Sequence, residues 1–189
     1  MNERIAIIDD EPITRMDIRD IVEQAGYEVV GEGGDGFEAI EICQKQKPDL
    51  VIMDIRMPLL DGLKAGKKIL EDRLTHSIIY LSAYSDEEDT DMASKIGAVG
   101  YLVKPLSERS LLTTIQVGLA SGKRDQQLTD KVNALDTKLE QRKLIERAKG
   151  VLMQENNLSE EAAYKMLRNL SMSKRQSMSD IAKLIVVDD

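Results

Sequence analysis

The sequence holds one cysteine, one phenylalanine, no tryptophan and only four prolines in 189 residues. A lone cysteine, Cys43, excludes an internal disulfide framework and suits a reducing compartment. Five tyrosines and Phe37 are the whole aromatic complement, too few for a recognition surface built on aromatic stacking. No apolar run approaches the roughly 18 residues that a membrane span needs. Near the N-terminus, Glu3, Asp9 and Asp10 stand where a signal peptide requires an uncharged apolar stretch. These absences predict a soluble cytoplasmic protein with no membrane partner.

What is present is a globular composition, 42% hydrophobic and 32% charged, long enough for one large domain or two small ones. The formal net charge of -8 and pI near 4.9 argue at first against a nucleic-acid partner. The charge is unevenly spread, however. Residues 1–122 carry 13 Lys and Arg against 23 Asp and Glu, a net of -10, whereas residues 123–189 carry 13 against 11, a net of +2. The acidity belongs to one part of the chain.

That part alternates between two periods. Short apolar runs at residues 4–8, 27–31, 50–53, 77–81 and 100–103 have the continuous hydrophobicity of strands buried on both faces. Helically spaced apolar residues separate them, such as Ile18, Ile21, Val22 and Ala25, or Leu111, Leu112, Ile115 and Leu119. Strand and helix repeated five times predict a doubly wound α/β domain with a five-stranded parallel, flavodoxin-like sheet. Ligands of such sheets sit at the C-terminal strand ends.

After Gly122 the strand signal stops. Leu128, Val132, Leu135 and Leu139 step by four, three and four, a dimer seam for a coiled-coil helix; one amphipathic helix docked on its own domain is the plainer reading. Three helical segments follow, the second opened by Ser159 as N-cap with Glu160 and Glu161 in its first turn. This end of the chain predicts a small three-helix all-α bundle.

Asp9 and Asp10 follow the first predicted strand and Asp54 the third, which are neighbours in a sheet ordered 2-1-3-4-5. Carboxylates so close require a cation, and an all-oxygen cluster suits Mg²⁺. Ser82 ends the fourth strand, and Lys104 ends the fifth ahead of Pro105. Carboxylates, Mg²⁺, an ammonium and a hydroxyl form a phosphoryl-acceptor site with Asp54 as nucleophile. Singly, each Asp reads as a turn residue or N-cap; the set is hard to dismiss.

The motifs IIDDEP, VIMDIRMPLLDG, YLSA and GYLVKPL make residues 1–122 resemble a two-component receiver domain. The resemblance implies Mg²⁺ held by Asp10, Asp54 and the backbone carbonyl of Arg56, with Asp9 acting through water. It implies Asp54 as phosphoacceptor, a sensor histidine kinase as donor, and Ser82 with Tyr101 as the switch pair. Tyr101 also reads as an ordinary core aromatic of its strand. The only chemistry implied is phosphoryl transfer to the domain's own aspartate and its hydrolysis, which is a switch and not an enzyme.

Between residues 137 and 178, nine basic residues face five Glu, a net of +4, which suggests a polyanion or a solvated charged face. A DNA-binding helix-turn-helix is disfavoured, because the last helix is apolar with one Lys and ends at Asp188 and Asp189. LEQRKLIERAKGVLM, LSEEAAYKMLRNLSM and SKRQSMSDIA resemble an ANTAR domain, an RNA-binding output module, over residues 135–187. A linker helix at 123–143 would overlap its first helix. Receiver, coiled coil and ANTAR together resemble antitermination response regulators, such as those of ethanolamine-utilisation operons. This implies phosphorylation-driven homodimerisation and binding to hairpins of structured leader RNA. Arg147, Lys149, Arg168, Lys174 and Arg175 are the candidate RNA contacts. Tyr164 reads first as a core residue. Gly150, costly inside a helix, suggests close helix packing or close approach of RNA. A protein-interaction switch stays open as an alternative.

Overall fold

The computed structural model describes residues 2–83 and 87–186. Val187, Asp188 and Asp189, at which the predicted bundle ends, lie outside the described residues. The chain forms two compact units, residues 1–127 and 128–189.

In the first unit, strands β1 (Arg4–Ile8), β2 (Glu28–Gly33), β3 (Leu50–Asp54), β4 (Ile78–Ser82) and β5 (Gly100–Val103) alternate with helices α1 (Pro12–Gln24), α2 (Gly36–Gln46), α3 (Gly62–Glu71) and α4 (Glu87–Ile96). The sheet is parallel throughout, in the order β2-β1-β3-β4-β5. The two-residue period of the inner strands splits the core between its faces. Ala6, Ile8, Val51, Met53, Ile78 and Tyr80 are buried on one face, and Ile5, Ile7, Leu50, Ile52, Ile79 and Leu81 on the other. Each fully buried aliphatic side chain contributes about 1.5–3 kcal/mol.

Helix starts are written into the loops. Asp35 accepts from the Phe37 and Glu38 amides, Asp61 accepts from the Lys64 amide, and Pro12 opens α1. Tyr80 is fully buried, and a Cβ at Gly66 would come within 1.9 Å of its hydroxyl. Glycine in mid-helix here makes room for a phenol.

The next helix, α5 (Glu108–Asn156), is a single element of 49 residues. Its early turns place Leu111, Ile115 and Leu119 in the core of the first unit, with Ile5 and Ile52. A Cβ at Gly122 would lie 2.1 Å from Ser77 Oγ, and Ser77 Oγ donates to the Gly118 carbonyl at 2.9 Å. The glycine at the charge boundary is thus a packing position inside α5.

In the second unit, the last turns of α5 meet α6 (Glu160–Lys174) and α7 (Met178–Val186). Ala148, Leu152, Ala163, Leu167, Ile181 and Ala182 form its core. Ser159 caps α6 through the Ala162 amide, as its sequence position predicts, and Ser177 accepts from the Asp180 amide ahead of α7. Leu128, Val132, Leu135 and Leu139 remain 61%, 55%, 64% and 57% exposed.

Candidate functional site

The parallel sheet delivers its polar residues to one end. Asp9 follows β1, Asp54 is the last residue of β3, Ser82 the last of β4, and Lys104 follows β5. Asp9, Asp10 and Asp54 each offer a carboxylate oxygen, and these lie within 4.8 Å of one another. Asp9 and Asp54 are buried, whereas Asp10 is exposed at the rim.

Lys104 ties the cluster together. Its Nζ lies 2.5 Å from Asp54 Oδ2 and 2.7 Å from Asp9 Oδ2. The other carboxylate oxygens accept from backbone: Asp9 Oδ1 from the Glu11 amide at 2.9 Å, Asp54 Oδ1 from the Arg56 amide at 3.0 Å. Burial raises the Asp9 carboxyl above its ordinary pKa, against the bonds from Lys104 and Glu11, and neighbouring Asp54 adds to the rise. Burial works against the Lys104 charge too, but its bonds to Asp54 and Asp9 outweigh that and carry its pKa above the ordinary lysine value.

The donor set fits a hard divalent cation. All three side chains offer oxygen, and three carboxylates exceed the one ammonium among them. Asp9 Oδ2 is fully buried, and beyond its ion contact with Lys104 it has no hydrogen-bond partner among the described residues. A spare buried lone pair beside two further carboxylates is what such a cation would satisfy.

Ser82 is 2% exposed, and its carbonyl accepts from the Lys104 amide at 2.8 Å. Tyr101 is half-buried in β5, paired in register with Tyr80 and packed against the core. The Lys104-Pro105 peptide is cis. Beside Lys104, a cleft of about 760 Å³ opens between α1 and the segment after β5, lined in part by Glu11, Thr14, Ile18 and Pro105.

In the second unit the nominated cations divide. Arg147, Arg168, Lys174 and Arg175 are exposed. Lys149 is buried, with Nζ 2.7 Å from Glu146 and 2.8 Å from Glu160. Those bonds raise its pKa, Glu146 most and then Glu160. Lys149 therefore joins α5 to α6, and it can meet a phosphate only if these pairs open. Tyr164, read first as core, is 43% exposed. A Cβ at Gly150 would meet nothing within 4 Å, so packing inside the chain does not account for this glycine.

Sequence reasoning passed over Arg15, whose Nη1 donates to the Asp9 carbonyl at 2.5 Å. A partner on the main chain leaves no signature in side-chain motifs.

Residues 5–116 match the response regulator receiver domain family, and residues 133–186 the ANTAR domain family. The transcriptional regulatory protein PdtaR of Mycobacterium tuberculosis is 38% identical over 183 residues, spanning 97% of this chain and 89% of its own. The response regulator domain of Thermotoga maritima CheB superposes with a TM-score of 0.60 at 32% identity, over 64% of this chain and 98% of that one. A chain of the CheX–CheY–BeF3–Mg²⁺ complex of Borrelia burgdorferi does so with a TM-score of 0.57 at 27% identity, over 60% of this chain and 86% of that one. Among the described residues no helix is long and apolar enough to cross a membrane. With both families matched in one chain and a relative aligned over nearly its whole length, this chain belongs to the two-component response regulators that join a phosphorylation-responsive receiver to an ANTAR RNA-binding domain.

Proposed function

We propose that the chain is a cytoplasmic antitermination regulator, switched by phosphorylation of Asp54 and acting as a dimer on hairpins in nascent leader RNA. The observation that carries the reading is Lys104 Nζ bridging Asp54 and Asp9 at the sheet end, in a chain that also holds an ANTAR domain. An Asp54 oxygen attacks the phosphorus of a kinase phosphohistidine. The P–O bond forms as the P–N bond breaks, and the imidazole leaves, neutralised by a proton from water. Lys104 turns from the carboxylate to the incoming phosphoryl oxygens and balances their charge. Asp10, Asp54 and the Arg56 carbonyl would hold Mg²⁺, with Asp9 acting through water, and when bound the ion neutralises phosphoryl oxygens. The BeF3 and Mg²⁺ named for the Borrelia burgdorferi CheX–CheY complex support this.

A sensor histidine kinase supplies the phosphoryl group, and the cleft beside α1, which Lys104 lines, is a surface it could engage. Ser82 then turns toward the phosphoryl group and Tyr101 moves inward, changing the α4–β5–α5 surface. We assign residues 1–122 to the receiver, 123–143 to a coiled-coil linker and 135–187 to the ANTAR domain. The exposed Leu128, Val132, Leu135 and Leu139 support a seam closed by a second copy. Dimerisation presents two sets of Arg147, Arg168, Lys174 and Arg175, and Lys149 if its pairs open, to two hairpins at high effective concentration. Bound RNA cannot refold into the terminator.

Acetyl phosphate with Mg²⁺ should phosphorylate the wild type and leave Asp54→Asn unlabelled on a phosphate-affinity gel. Sedimentation should show the mass doubling on phosphorylation, and Leu135→Asp should abolish the doubling with the helical spectrum unchanged. Gel shifts should favour hairpin leader RNA over the matching duplex DNA; preference for the duplex would overturn the RNA reading.

A further inference from the structure

Arg15 sits on α1, three residues beyond the IIDDEP motif, and it reaches back to that motif's main chain. Its side chain is 20% exposed, and its Nη1 donates to the Asp9 carbonyl at 2.5 Å. Its Nε lies 3.6 Å from Glu32 Oε2, at ion-pair distance, and Glu32 Oε1 pairs with Arg19 on the next turn of α1. Gly34, on the loop after β2, packs alongside: a Cβ there would lie 3.7 Å from Arg15 Nη1 and 4.0 Å from the Asp10 Cα. The Asp9 amide meanwhile donates to the Gly33 carbonyl at 3.0 Å.

The carbonyl that Arg15 holds belongs to the peptide joining Asp9 to Asp10. That peptide is planar, so fixing its oxygen fixes the plane from which both Cα atoms depart. The Asp9 amide is fixed on one side by Gly33 and its carbonyl on the other by Arg15. The two bonds together hold the main chain from which both carboxylates depart. We propose that Arg15, braced by Glu32, is a positioning residue for the divalent-cation site, holding the Asp9–Asp10 peptide so that both carboxylates converge with Asp54. The inference rests on the reading that Asp9 and Asp10 hold Mg²⁺.

Electrostatics and positioning predict opposite signs. A guanidinium near a cation site repels the cation, so deleting its charge should tighten Mg²⁺ binding. Loss of an outer-shell support should weaken it, by about tenfold to a hundredfold. Isothermal titration of Mg²⁺ into the full chain, well below the melting temperature, separates the two. Arg15→Gln is expected to bind at least about tenfold more weakly, and Arg15→Lys, which keeps the charge without the fork, to fall between it and the wild type. Unchanged or tighter binding by Arg15→Gln overturns the inference, as does a lowered melting temperature with unchanged affinity. Should Arg15→Gln fail to fold, Arg15→Lys decides: weaker binding supports the role and unchanged binding overturns it. Asp10→Asn tests the underlying reading separately. If it binds Mg²⁺ as the wild type does, the metal site itself is misassigned; if it loses binding while Arg15→Gln does not, only the role of Arg15 falls.

Discussion

Two lysines, one in each unit, are built alike and serve different ends. Lys104 stands 2.7 Å from Asp9 and 2.5 Å from Asp54, and Lys149 stands 2.7 Å from Glu146 and 2.8 Å from Glu160. The ammoniums are similarly shielded, with side chains 17% and 9% exposed. Their partners are not. The aspartate side chains are 0% and 8% exposed, whereas Glu146 and Glu160 are 55% and 70% exposed. Water screens the glutamates, so the second bridge is a strut between helices. The aspartates are crowded, desolvated and joined by a third carboxylate, so the first bridge leaves negative charge that a cation or a phosphoryl group can engage. Partner burial, more than the lysine itself, separates a reactive site from a structural one.

The comparison can be broken most sharply by deleting each ammonium. Lys104→Met should slow phosphorylation of Asp54 by acetyl phosphate by about 10²–10³-fold, as removal of a charge-stabilising donor does elsewhere. Lys149→Met should leave that rate unchanged and lower the melting temperature of the C-terminal unit. A slowed phosphorylation in the second variant would end the distinction.

Acid separates the same two sites with opposite signs. Glu160 is held below its ordinary pKa of 4.5 by its bond to Lys149. Its stabilisation is complete above that ordinary value and is lost as the pH falls through the lowered one. Asp9 is raised above 3.8, chiefly by burial, so its ionised form subtracts stability at neutral pH, and acidification through the raised value relieves the cost. Thermal melts of the metal-free chain should therefore show the wild type losing its advantage over Glu160→Gln in acid. Asp9→Asn should lose its advantage over the wild type across the same titration.

Two mid-helix glycines give the smallest contrast. Gly66→Ala drives a methyl toward the Tyr80 hydroxyl and should cost about 1–3 kcal/mol in denaturant melts. Gly150→Ala meets open space and should gain about 1 kcal/mol. If the bare backbone at Gly150 is where RNA approaches, the stabilised variant should bind leader RNA more weakly.

The sheet was legible because its inner strands are continuous apolar runs, and the acidic site because three aspartates and Lys104 fall at strand ends. Edges were less so. The run at 27–31 became β2 at Glu28–Gly33, since an edge strand needs less apolar character and Glu32 and Gly33 carry no strand signal. Gly122 marked a boundary because the strand signal and the acidic excess both stop there; its structural constraint is Ser77, 45 positions earlier in the sequence. That Lys149 is already paired with Glu146 and Glu160 could not be read from composition, which counts cations without showing their partners. Arg15 was invisible for the same reason in reverse, its partner being a carbonyl.

The exposed stretch of α5 has a consequence for amide exchange. From residue 123 to residue 143 every side chain except Thr129 is exposed, so those amides are protected by little beyond the helix's own hydrogen bonds. An isolated helical segment of this kind opens readily. Its protons should exchange with heavy water far sooner than those of β3 or β4, and pairing with a second copy would retard them. The state of the switch would then be recorded as minutes of amide protection, at a segment remote in sequence from the aspartate where the signal arrives.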